Sequence, residues 1–139
     1  MRDIVLRRVL HASREAVWAA LTDREALAEW LMPNDFEPRL GHRFTFRTDP
    51  APGFDGIVRS EVLVLDPPRE LALAWQGGPL DTTVRFLLDE HPEGTLLTLR
   101  HEGFRGLRNL LPRIVLGFGW KRLLASKLED RVKGVADGG

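Results

Sequence analysis

Cysteine is absent from all 139 residues, which removes disulfides, thiolate nucleophiles and cysteine-ligated metal in one step. A reducing compartment fits that absence. There is no excess of charge of either sign: 20 Lys and Arg balance 20 Asp and Glu, for a formal charge of +0 and a pI near 6.9. The chain as a whole therefore lacks the clustered basic field that usually signals nucleic acid or an anionic bilayer. Long apolar runs are missing too. Ile4-Val5-Leu6 is broken at once by Arg7 and Arg8, so no signal-peptide core forms, and nothing elsewhere approaches a membrane span. A soluble, cytoplasmic protein without a membrane span is expected.

Several chemistries lack their residues. His11, His42, His91 and His101 are scattered, without the spacing of a metal site. Gly117-Phe118-Gly119 has neither the third glycine, nor the lysine, nor the preceding strand of a phosphate-cradling loop. Ser126 sits among helix residues rather than at a nucleophile elbow. No metal, no cofactor and no nucleic-acid partner is expected. The basic residues Arg105, Arg108, Arg113, Lys121 and Arg122 read most simply as solvated loop and helix positions.

What is present is a chain with 43% hydrophobic residues and a mass of 15.7 kDa, enough for one domain with its own core. That domain is expected over residues 1–135, with a flexible tail at 136–139. Residues 4–10, rich in Ile, Val and Leu, read as an opening strand. Ser13 then reads as the N-cap of a short helix, with Glu15 in its first turn and Val17, Trp18 and Leu21 on one face. Asp23 caps a second, in which Leu27, Trp30 and Leu31 share a face and Pro33 ends the run. Helices this short need a surface to dock on.

Alternation predicts strands at 42–48, 56–65, 69–75, 82–89 and 95–102, separated by Gly- and Pro-containing reversals. Short links favour antiparallel pairing. Trp120, Leu123, Leu124 and Leu128 then mark one side of a C-terminal amphipathic helix. Gly117 and Gly119 allow two expectations: either the helix proper begins near Gly119, or the missing side chains leave open space beside the sheet. The order strand, helix, helix, five strands, long helix is an α+β layout, with a curled sheet of about six strands.

Residues 12–31 (ASREAVWAALTDREALAEWL), 60–71 (SEVLVLDPPREL) leading to Trp75, the pair Thr82-Thr83 with Val84, residues 94–104 (GTLLTLRHEGF) and Gly119-Trp120 with Leu124 resemble, in that order, the SRPBCC (START/Bet v 1-like) superfamily. The closer resemblance is to the branch of the activator of Hsp90 ATPase homologue and the CalC-like proteins. It implies a helix-grip fold whose long C-terminal helix closes a hydrophobic pocket, and members that bind hydrophobic molecules or cyclise them. Ser60 departs from the pattern, standing where relatives often have glycine. So does the basic, leucine-rich link from Phe104 to Gly119.

Alternation also gives a candidate ligand lining. Phe44 with Phe46, Leu73 with Trp75, Val84 with Phe86, and Leu97 with Leu99 and His101 share strand faces, and Trp120 and Leu124 look down from the helix. Trp30, as a clamp, and Phe118, as a gate or staple, complete the set. For any one of these residues plain core is the favoured reading, and only the set together argues for a ligand. His101 is the one candidate for catalysis, but it lacks a partner, since Glu102 points to the opposite face, and a hydrogen-bonded core or rim histidine is the favoured reading. The function expected is binding of a hydrophobic or amphipathic small molecule between sheet and helix, without a convincing catalytic constellation. The alternatives are a cyclase/aromatase-like enzyme and a co-chaperone-like interaction module. The leucines of the link leave a homodimer contact or a lid open.

Overall fold

In the computed structural model the backbone is described for residues 2–138 and the side chains for residues 2–133; the tail expected at 136–139 lies outside the fully described residues. β1 (Ile4–Leu10) is followed by α1 (Arg14–Leu21) and α2 (Arg24–Trp30). Both helices begin as their sequences dictate. Ser13 Oγ accepts from the Ala16 amide (3.1 Å) and an Asp23 carboxylate oxygen from the Ala26 amide (2.9 Å), each satisfying a donor the first turn leaves open.

The meander then runs β2 (Arg43–Arg47), β3 (Ile57–Asp66), β4 (Glu70–Gly77), β5 (Leu80–His91) and β6 (Gly94–Glu102). All pairs are antiparallel, in the order β1-β6-β5-β4-β3-β2. β4 and β5 extend beyond their predicted ends, because Gly77 still pairs with Leu80 and only Gly78-Pro79 makes the reversal. The β5–β6 reversal is as tight. A Cβ on Gly94 there, at φ 142°, would lie 2.2 Å from the Leu10 carbonyl oxygen, so no side chain fits.

Burial alternates along the strands, and Phe44, Phe46, Val58, Val62, Leu71, Leu73, Trp75, Val84, Phe86, Leu97 and Leu99 form the inner face of the curved sheet. The C-terminal helix lies over that face. It begins at Leu110 rather than near Gly119 and is continuous through α3 (Leu110–Arg122), a wider turn (Leu123–Leu128) and α4 (Glu129–Gly138). Pro112 does not prevent the early start, because it sits in the first turn, where no backbone donor is needed. Trp120, Leu124, Leu128 and Val132 are all buried. A spacing of four drifts about 40° per step around a helix of 3.6 residues per turn, and the wider turn takes up that drift.

Polar contacts hold the helix to the edge strand β1. Arg113 donates to the Arg2 and Asp3 carbonyls (2.6 and 3.3 Å), Arg8 donates to the Ala125 carbonyl (3.4 Å), and Glu129, itself buried, meets His11 Nδ1 at 3.1 Å. Arg113 thus covers the two carbonyls just ahead of the edge strand.

Candidate functional site

His101, on β6, has no exposed surface. Trp120 Nε1–H donates to His101 Nδ1 (3.1 Å), so that nitrogen carries the lone pair and Nε2 carries the hydrogen. Nε2–H then donates to Thr82 Oγ1 (2.7 Å), whose own hydrogen goes to the Trp75 carbonyl (2.8 Å). Every hydrogen in this chain is spent. Burial also pushes the imidazole down from its usual 6.5 to about 3, since a second proton would put a charge in an apolar site and face the Trp120 N–H donor. Such a ring holds Trp120, and with it the helix, over the sheet. It has no free nitrogen with which to move a proton. Glu102 points the other way and pairs with Arg85, which also meets Glu70 at 3.0 Å.

The other predicted lining residues surround this relay. Phe46 and Trp75 lie 5.4 Å apart between ring centroids, Trp75 and Trp120 5.4 Å, Phe86 and Trp120 6.1 Å, and Phe44 and Phe46 5.2 Å. Trp30 packs edge-on to Phe86 at 6.3 Å and spends its N–H on the Ala20 carbonyl (2.8 Å). Trp30, Phe44, Phe46, Leu73, Trp75, Val84, Phe86, Leu97, Leu99, His101, Trp120 and Leu124 are 0–4% exposed. A hollow large enough for a ligand would leave its walls uncovered. In this conformation these side chains fill the space between sheet and helix themselves, which corrects the expectation of a dry hollow there. Ser60, buried opposite Phe44, keeps its hydroxyl without a partner. Phe118 belongs elsewhere, at 71% exposed on the outside of α3.

Open space lies at the margin. A groove of about 350 Å³ runs between β1 and α3, lined by Asp3, Ile4, Val5, Leu6, Arg113, Ile114, Gly117, Phe118 and Lys121. A Cβ on Gly117 or on Gly119 would meet nothing within 4 Å, so of the two expectations for these glycines the open space is realised. Of the groove's residues, only Phe118 was among those predicted. The one visible signal for the rest was the helix-interior glycine at 117. A wider depression of about 600 Å³ lies on the outer face over β2, β3 and β4, between Arg43, Arg59, Glu61 and Gln76. The arginines on its walls are already paired, Arg43 with Glu61 at 3.0 Å and Arg59 with Asp55 at 3.3 Å.

Among the described residues no group of three or more histidine and carboxylate side chains gathers around a point. Nor is any helix there long and apolar enough to cross a membrane.

A six-stranded antiparallel sheet gripping a long C-terminal helix is the helix-grip architecture. The family model described as "Activator of Hsp90 ATPase homolog 1-like protein" matches residues 11–133. The chain belongs to this family, a branch of the SRPBCC superfamily. It is similar to protein MLL2253 from Mesorhizobium loti, with 33% identity over 95% of this chain and 97% of that one and a TM-score of 0.85. It is also similar to CalU16 from Micromonospora echinospora, with 26% identity over 96% and 75% of the two chains and a TM-score of 0.77. The Aha1 dimer from Colwellia psychrerythraea shares the fold at 22% identity, covering 95% and 96%, with a TM-score of 0.77. No curated protein matches the chain.

Proposed function

We propose that this protein binds a hydrophobic or amphipathic small molecule, and that the molecule enters between β1 and α3. The observation that carries this reading is the unfilled space beside Gly117 in a groove that mixes apolar side chains with Asp3, Arg113 and Lys121. A helix-interior glycine costs about 1 kcal/mol relative to alanine, and here no neighbour forbids the alanine. A volume of about 350 Å³ is at the small end of ligand sites, so the groove takes one ring system or one arm of a longer chain. Ile4, Leu6, Ile114 and Phe118 supply the apolar walls. Lys121, exposed at the edge, favours an acidic group on the ligand.

No chemistry on the ligand is part of this reading, because His101 is buried and spent. A second reading, a protein-interaction module in the cytoplasm, alone or as a homodimer, is favoured by the filled interior.

The test is a fluorescence titration with a long-chain fatty acid probe and its neutral alcohol analogue. Saturable binding is expected, weakened at least about tenfold by Gly117→Leu, the equivalent of about 1.4 kcal/mol, with the circular dichroism spectrum unchanged. Lys121→Ala should weaken the acid and spare the alcohol. Absence of saturable binding by the folded wild type, for carboxylates, sulfonates and neutral lipophiles alike, sinks the reading in favour of the second.

A further inference from the structure

A surface helix ordinarily has one apolar stripe and buries it. The segment from Leu107 to Trp120 has two. Leu116 and Trp120 pack toward the sheet. On the opposite side Leu107, Leu110, Leu111, Ile114, Val115 and Phe118 recur at helical spacing and form one continuous stripe. All six are exposed, from 43% at Ile114 to 87% at Leu107, and only Val5, Leu40 and Leu63 share that condition among the described large apolar side chains. Val5 stands beside the stripe, across the groove.

The charges carried by this segment and the turns that flank it in sequence have one sign. Arg105 and Arg108 precede it, Arg113 lies within its span, and Lys121, Arg122 and Lys127 follow, while no carboxylate occurs between Glu102 and Glu129. A total charge of zero conceals this, because the balancing acids lie elsewhere in the sequence.

We propose that this face docks on an anionic lipid surface, its apolar side chains entering among the head groups and its cations meeting the phosphates. Complementarity selects that occupant. A second copy seated on the same stripe would set cations against cations with no carboxylate on the segment to answer them. Nucleic acid would find a row of apolar side chains where a phosphate track is needed. Asp3 is the one carboxylate lining the adjoining groove. The proposal stands whether or not the groove holds a ligand.

The full-length protein is to be sedimented with phosphatidylcholine vesicles, with and without phosphatidylserine, at low and high salt. Expected are binding at least about tenfold tighter to the anionic vesicles and a loss of that preference with salt. Leu111→Glu with Val115→Glu, both at exposed positions, should abolish binding, and Arg105→Ala with Arg108→Ala should weaken it about tenfold or more. Neither arginine lines the groove, so this second pair leaves fatty acid binding unchanged and separates the two proposals. Folded wild-type protein that ignores anionic vesicles overturns the inference. So does a concentration-dependent dimer, broken by Leu111→Glu, in place of vesicle binding.

Discussion

An imidazole can be buried without penalty only if one ring nitrogen meets a donor and the other an acceptor, and His101 has Trp120 for the first and Thr82 for the second. The consequence is a pH dependence of defined sign. With a folded value of about 3 and an unfolded value of about 6.5, the unfolded chain takes up a proton in that window that the native ring refuses. The contribution of His101 is fully present above pH 6.5 and is lost as the pH falls toward 3, at about 1.4 kcal/mol per pH unit. An NMR titration should find the His101 ring signals unchanged from pH 8 to pH 5; an inflection near 6.5 would show that the ring charges freely. Alternation along β6 put His101 on the apolar face with Leu97 and Leu99. Its partners were not legible there, since Thr82 and Trp120 arrive from β5 and α3, 19 residues away on either side.

At the scale of elements, the caps and reversals follow from local chemistry, and Ser13, Asp23 and Gly94 behave as their types require. The C-terminal helix is different. Glycines at 117 and 119 weaken local propensity, yet α3 starts at Leu110 because Trp120 and Leu116 pack from one side and Arg113 binds the Arg2 and Asp3 carbonyls just ahead of β1. Tertiary contact overrides propensity there. Gly119 does not line the groove and has room for a methyl group. Gly119→Ala should therefore raise stability by up to about 1 kcal/mol in urea denaturation, without weakening fatty acid binding. A destabilised variant would mean that the space beside Gly119 is not available.

Across the whole molecule, support is uneven. β4, β5 and β6 are paired on both sides and covered by the aromatic cluster, whereas α3 ahead of Trp120 presents an uncovered apolar stripe to solvent. Local opening follows such differences. Hydrogen exchange should release the amides of 114–119 well before those of β5, and protection equal to that of β5 would contradict this account of α3. Binding of a lipid or of a groove ligand should slow exchange in that segment first, because it covers the surface that solvent now reaches.

The α+β order, the capped short helices, the antiparallel meander and the resemblance to the family were all readable along the chain, because each rests on neighbours in sequence or on a repeat of two or of 3.6 residues. The same alternation identified Phe46, Trp75, Phe86 and Leu99 as inward-facing. It could not say whether inward meant lining or filling, since that depends on how closely the helix approaches the sheet. Tertiary structure decided it: the Trp120–His101–Thr82 bonds draw the helix down until the rings interlock, and the open space is left at the edge, beside a glycine that no local rule explains.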